Sequence, residues 1–130
     1  MNIRLYNSKD YEMLSTWWID SKEPGPLKEM LPEDSTFILE DRGTPVMSVS
    51  LYLPNCKFMA YVENFVKHPD YDNDNAAFIL SKHIEDFAKD RGYSILVCLS
   101  YKDKLKQRYQ ELGYVKTLDG LSSFVKDLRR

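Results

Sequence analysis

The apolar residues change their spacing partway along the chain, and that change limits the fold more than any other property of the sequence. In the first half, Met47, Val49, Leu51 and Leu53 take turns with Ser48, Ser50 and Tyr52, the period of a strand with one buried face. From Ala77 the period becomes helical. Ala77, Leu80, Ile84, Phe87 and Ala88 mark one face of a helix over about 75–91, with Gly92 as its C′ residue. Ile95-Leu96-Val97-Cys98-Leu99 then runs apolar without a break, as expected of a central strand buried on both faces.

The flanking elements follow from local signals. Residues 2–6 read as a short strand, and Ser8 as the N-cap of a helix over about 9–21 that carries Asp10 in its first turn. Tyr11, Leu14 and Trp18 share a face of that helix, and Pro24-Gly25-Pro26 ends it. Leu27, Met30 and Leu31 suggest a second, short helix stopped by Pro32. Residues 35–40 are β-rich, Asp41-Arg42-Gly43 is a turn signal, and Pro54-Asn55 turns the chain into a long strand over 57–66. These strands form an antiparallel meander. Later, Leu105, Tyr109 and Leu112 mark a helix ended by Gly113, and strands over 114–117 and 122–126 flank Asp119-Gly120, a hairpin signal.

A chain of 130 residues makes one domain, 1–130. Its net charge of −2 comes from interspersed acids and bases, which excludes the basic face of a general nucleic-acid binder. The one local basic cluster, Lys102, Lys104, Lys106 and Arg108, reads as a solvated helix face. Cys56 and Cys98 sit in apolar, strand-like settings and read as buried free thiols of a reducing compartment. With no apolar leader and no run approaching the roughly 20 residues of a membrane span, the expected location is the cytoplasm.

The segment over 66–80, Val-Lys-His-Pro-Asp-Tyr-Asp-Asn-Asp-Asn-Ala-Ala-Phe-Ile-Leu, carries most of the functional information. It leads from a strand end through a polar loop into a helix start, where unpaired backbone N–H groups and the helix dipole favour an anion. Asp70-x-Asp72-x-Asp74 mimics the opening of an EF-hand, but Asn75 and Ser81 occupy the positions that need Gly and Glu. No Cys/His spacing supports zinc either, so no metal is expected.

Three segments, in this element order, resemble the GNAT N-acetyltransferase superfamily over nearly the whole chain. Val66-Lys67-His68-Pro69-Asp70-Tyr71 is similar to the family's strand-end segment, the helix after it to the cofactor helix, and Gln107-Arg108-Tyr109-Gln110-Glu111-Leu112-Gly113-Tyr114 to the late helix and its turn. The resemblance implies an α/β fold with a mixed, mostly antiparallel sheet of about seven strands flanked by about four helices. It also implies acetyl-CoA as co-substrate and an amine acceptor. Backbone near Phe65, Val66 and Lys67 would pair with the pantetheine, and the pyrophosphate would sit over Asn73, Asp74, Asn75, Ala76 and Ala77. Tyr109 stands at the family's general acid, with a ring that simply packs one turn after Leu105 as the plainer reading, and Lys102 and Leu105 depart from the residues usual upstream of it. Glu63 is placed to take a proton from the amine, with an exposed strand residue as the plainer reading. His68 matches a family residue of structural role, and His83 reads as a surface helix residue.

The loop departs from the family pattern of a basic or amide residue and glycines. Asp72, Asn75 and Ala77 stand at the matching positions, with Asn73 where another glycine is common. Asn enters the left-handed region more readily than most residues. Asp72 and Asp74 instead place like charge beside a pyrophosphate, weakening acetyl-CoA binding by about 1 kcal/mol or more, while completing the helix terminus of an empty loop. A second expectation is therefore a catalytically degenerate relative serving as an interaction or assembly module, of a kind that would suit a phage or mobile element. Trp17 and Trp18 fall in the family's acceptor segment. Because helix neighbours point about 100° apart, one of them is expected to be exposed, lining an acceptor cleft, anchoring a protein partner or merely packing at an edge.

Overall fold

The computed structural model describes residues 1–98, 103–116, 126 and 128. The chain divides into two compact units, Met1–Leu99 and Ser100–Arg130.

The first unit is built on a five-stranded sheet in sequence order: β1 (Asn2–Leu5), β2 (Thr36–Asp41), β3 (Thr44–Tyr52), β4 (Met59–Lys67) and β5 (Ile95–Cys98). The first four pair antiparallel, and β5 joins β4 in parallel. A parallel neighbour needs a crossover, which the helix α2 (Asp74–Asp90) supplies. The β2–β3 connection is tight, with Arg42 and Gly43 at φ 54° and 79°, the two positive values that a turn matching the strand twist requires. The fold is thus α/β with a mixed sheet, as expected. All five strands anticipated before residue 100 are present, whereas 114–116 are irregular. The closing hairpin around Asp119-Gly120 otherwise lies outside the described residues.

The helices flank the sheet. α2 lays Ala76, Ala77, Leu80, Ile84 and Ala88 against Phe37, Leu39, Val49, Leu51, Ala60 and Val62, which forms the larger apolar core. On the other face, α1 (Tyr11–Asp20) packs Leu14, Trp17 and Trp18 against Tyr6, Leu31, Ile38 and Val66. Ile38 lies between Phe37 and Leu39 yet joins the opposite core, as the two-residue period of a strand demands.

Several local expectations are corrected. The cap before α1 is Asn7 rather than Ser8: its side chain accepts from Lys9 N–H, and Asp10 returns a bond to Asn7 N–H, around a 3₁₀ turn Ser8–Asp10. Arg4 fixes that corner with two 2.9 Å bonds to Asp10 and one of 3.1 Å to Glu40. The short second helix is a 3₁₀ turn, Lys28–Met30. Ser48 and Ser50, expected on an exposed face of β3, are buried at 1% and 0% because α1 and the segment after it cover that side. The hydroxyl of Ser50 pairs with that of Thr36 at 2.8 Å, which satisfies both. Cys56 is exposed in the turn before β4 rather than buried in a strand. β5 is half-buried with Ile95 exposed, not buried on both faces, and is the last strand of the described sheet. His83 is half-buried, its ring edge-on to Phe37 at 5.0 Å.

In the second unit, α3 (Asp103–Glu111) ends at Gly113, whose φ of 93° suits a C′ glycine. Among the described residues no helix is long and apolar enough to cross a membrane.

Candidate functional site

β4 lies between β3 and β5, and a bulge interrupts it midway. Its parallel register with β5 runs from Met59↔Ile95 to Val62↔Cys98, and β4 then continues to Lys67. On the β3 side the register changes beyond Val62: Ser50 faces Glu63 but Ser48 faces Val66. One extra residue on β4 between these pairs makes a β-bulge, which bends and re-aims a strand. Asn64 carries the strain, with φ 59°, a value that Asn tolerates better than most side chains.

Glu63 stands beside this bulge. Opposed residues share a sheet face, so Glu63 lies on the face of Ser50, the α1 side. It is half-buried rather than freely exposed, and that burial raises its carboxyl above the usual glutamate range. Loss of water penalises the charged form, and no hydrogen bond or cation contributes to the shift. Cys98 is near enough to feel its charge. Burial first, and Glu63 second, push that thiol up to about 11, so Cys98 stays protonated at neutral pH.

The polar loop is tied down at several points. His68 N–H donates to Val46 C=O, while His68 Nδ1 accepts from Asp70 N–H at 3.1 Å and its ring meets Trp17 edge-on at 5.7 Å. Lys67 Nζ donates to Tyr71 C=O, and Tyr71 Oη donates to Asp41 in the β2–β3 turn at 3.0 Å. Asn73 is the N-cap of α2, its side chain accepting from Asn75 N–H at 3.1 Å, and Ala76 N–H bonds to Asn73 C=O. Two of the first donors of α2 are thus engaged within the loop. Asp72 and Asp74 are exposed, and Ala76 and Ala77 bury their methyl groups beneath the helix start. Phe65 and Val66 commit their side chains to the two cores, leaving only their backbone for a ligand.

A family model of the GNAT acetyltransferases matches residues 4–114. The chain belongs to this family. No curated protein matches the sequence significantly. Solved structures share the GNAT fold at low identity. N-acetylglutamate synthase from Neisseria gonorrhoeae, complexed with coenzyme A and N-acetyl-glutamate, has TM-score 0.70 at 21% identity over 84% of this chain and 27% of its own. Glucosamine-6-phosphate N-acetyltransferase from Arabidopsis thaliana has TM-score 0.69 at 14% identity, over 96% of this chain and 98% of its own. Rv2747 from Mycobacterium tuberculosis, in complex with CoA, has TM-score 0.69 at 11% identity, over 85% and 70% of the respective chains.

Within this GNAT domain the expected site residues are distributed unevenly. Phe65, Val66 and Lys67 line the second half of β4 just after Glu63, and Asn73 to Ala77 form the start of α2. Trp17 and Trp18 depart from expectation, since each is only 4% exposed. Trp17 faces the sheet, and Trp18 is roofed by the segment after α1. A Cβ on Gly25 would lie 2.8 Å from the Trp18 ring. Neither indole is thus an exposed anchor. Tyr109, in the second unit, sets its ring edge-on to Tyr114 at 5.4 Å. An open depression of about 480 Å³, lined in part by Ala88, Tyr93, Ile95 and Leu96, lies at the opposite end of α2 from the loop.

The bulge residue Asn64 was missed in the sequence. The available signal was an Asn within an otherwise strand-like run, since Asn is depleted in strands. Asn64 Nδ2 donates to Tyr52 Oη at 2.8 Å, and Tyr52 Oη donates to Met30 C=O at 3.0 Å.

Proposed function

We propose that this GNAT protein is a cytoplasmic N-acyltransferase that moves an acetyl group from acetyl-CoA to an amine by direct attack. The observation that carries the reading is the bulge in β4 beside the desolvated Glu63, from which Phe65–Lys67 lead through the polar loop into the start of α2. Strand backbone offers N–H and C=O groups in a row, and those of Phe65–Lys67 would pair with the two amides of a pantetheine arm. The pyrophosphate would lie over 73–77 at the start of α2, where helix N–H groups favour an anion.

The amine nitrogen attacks the thioester carbon, and the carbonyl oxygen takes the electron pair. Collapse of the tetrahedral intermediate breaks the C–S bond and releases the CoA thiolate. Glu63, directly or through water, takes the proton that the nitrogen must lose. Its raised carboxyl is a stronger base than an ordinary glutamate. Tyr109 supplies the proton that the thiolate needs, a role assigned from the family resemblance. Glu63→Gln and Tyr109→Phe are each expected to lower kcat by roughly 10²- to 10⁴-fold. Calorimetry is the primary test, and absence of acetyl-CoA binding at millimolar ligand overturns the proposal.

One observation favours a second reading. Asn73 already satisfies Asn75 N–H, and Asp72 and Asp74 flank it, so the loop is complete without a pyrophosphate. On this reading the fold serves as an interaction or assembly module, and the Trp17–Trp18 region supports a partner or acceptor surface only through the residues that cover it. Asp72→Arg separates the two. A large gain in CoA affinity supports the degenerate loop, whereas strong binding by the unmodified protein counts against it.

A further inference from the structure

The segment between α1 and β2 crosses the α1 face of the sheet and is pinned at both ends by tyrosine hydroxyls. At its start, Tyr11 Oη donates to Pro26 C=O at 2.9 Å, and Gly25 lies against the Trp18 ring. At its end, Met30 C=O accepts from Tyr52 Oη, which in turn accepts from Asn64 Nδ2. The hydroxyl has one proton to give and lone pairs to receive, so this single group links the strap to the bulge of β4. We propose that Tyr52 and Asn64 are positioning residues that lock the strap over residues 24–30 to the β4 bulge and thereby hold Glu63 in its desolvated setting. This deepens the acetyltransferase reading and rests on Glu63 as its base.

The choice of residues argues for this role. A bulge position at positive φ is most cheaply filled by Gly, yet Gly has no side chain to reach Tyr52. Asn accepts the conformation and supplies the donor. Tyr52 faces Tyr61 across the β3–β4 ladder, and Ser50, two residues earlier on the same strand, faces Glu63. The two-residue period puts Tyr52 and Glu63 on one face. Among the described residues, the polar side chains of β3 on the face of Glu63 are Ser48, Ser50, engaged with Thr36, and Tyr52, engaged with Met30 and Asn64, whereas Cys98 on β5 pairs with Val62 and packs on the opposite, α2 face. None of these described groups can supply a positive charge, and burial is what raises the Glu63 carboxyl, so the access of water governs it. That access depends on whether strap and bulge stay together.

The test uses the full chain without ligand. The Glu63 carboxyl is followed by carbon NMR through a pH titration, and hydrogen exchange is read at the amides of Met30 and Leu31, in Tyr52→Phe, Asn64→Gly and the double variant. Asn64→Gly keeps the positive φ and removes only the side-chain bond, so it carries the test if Tyr52→Phe folds poorly. Expected in both single variants are a downward shift of the Glu63 midpoint toward ordinary glutamate and exchange at Met30 and Leu31 faster by roughly 2- to 10-fold. The double variant should add little to either. An unchanged midpoint with faster exchange overturns the proposal, because the pair would then only prop the strap, as do additive effects in the double variant. Acetyl-CoA calorimetry on the same samples reports separately on the acetyltransferase reading, whose failure leaves the titration result standing.

Discussion

The two faces of the sheet are packed by different chemistry. On the α2 face the buried residues are apolar apart from Ser81, which keeps 9% of its surface exposed, from Phe37 and Leu39 through Leu51 and Val62 to Leu80 and Ile84. On the α1 face the apolar cluster is smaller and rich in aromatics, and it adjoins buried Thr36, Ser48 and Ser50 and the half-buried Glu63 and Asn64. Hydrocarbon against hydrocarbon is favourable almost regardless of detail. A buried hydroxyl or carboxyl is tolerated only with particular partners. The α2 face therefore supplies stability, and the α1 face carries the polar groups for which chemistry has a use, at some expense of stability.

Substitutions that probe each face separately test that division. Leu80, 2% exposed at the centre of the α2 face, should give the largest effect. Leu80→Ala is expected to lower unfolding free energy by about 2–5 kcal/mol in urea titrations while leaving the Glu63 midpoint in place. A displaced midpoint would show that the faces are not independent. Gly25→Ala is the counterpart on the α1 face. Its Cβ would fall 2.8 Å from the Trp18 ring, and the rigid indole, itself packed on the sheet, cannot yield at its far end. A loss of about 1–3 kcal/mol is expected, together with altered near-ultraviolet circular dichroism from Trp18.

The hydroxyl pair of Thr36 and Ser50 sharpens the comparison. Ser50→Ala strands the Thr36 hydroxyl in a buried site and should destabilise by about 1–2 kcal/mol. Thr36→Val combined with Ser50→Ala removes both partners and should recover most of that loss. A double variant no better than the single would mean that the pair interacts with something further on that face.

The same contrast explains what was legible in the sequence. Apolar periodicity located the five strands and α2 because burial of apolar side chains is what places them, and Gly43, Gly92 and Gly113 sit at positive φ where turn or C′ glycines were expected. Features set by long-range cover were not legible. Ser48 and Ser50 read as solvent-facing because nothing local reveals that α1 and its strap lie above them. Trp18 is buried by Gly25, seven positions later, and helix geometry alone left one indole exposed. Of the candidate site, the loop into α2 and Glu63 were visible as residue types in a spacing. The bulge was not, since a register shift belongs to two strands at once, and only the Asn at 64 hinted at it.

The smallest effect expected is also the one that most directly compares a compensated with an uncompensated carboxylate. Asp10 is held below its ordinary value of 3.8, chiefly by its hydrogen bond from Arg4. Its contribution is complete above the unfolded value and disappears as pH falls through the folded one. Glu63 behaves in the opposite sense. Burial raises it above 4.5, so between the unfolded and folded values the native state keeps a proton that the unfolded chain has released. Stability from this group is greatest below the unfolded value, declines as pH rises to the folded value, and is level beyond it. Urea titrations across the acid range should show Glu63→Gln matching the unmodified protein below about pH 4 and exceeding it at neutral pH. Arg4→Ala should reduce the acid-side rise and leave that difference intact. If Glu63→Gln gains nothing at neutral pH, the carboxylate is compensated after all, and the α1 face no longer bears the expense that separates it from the α2 face.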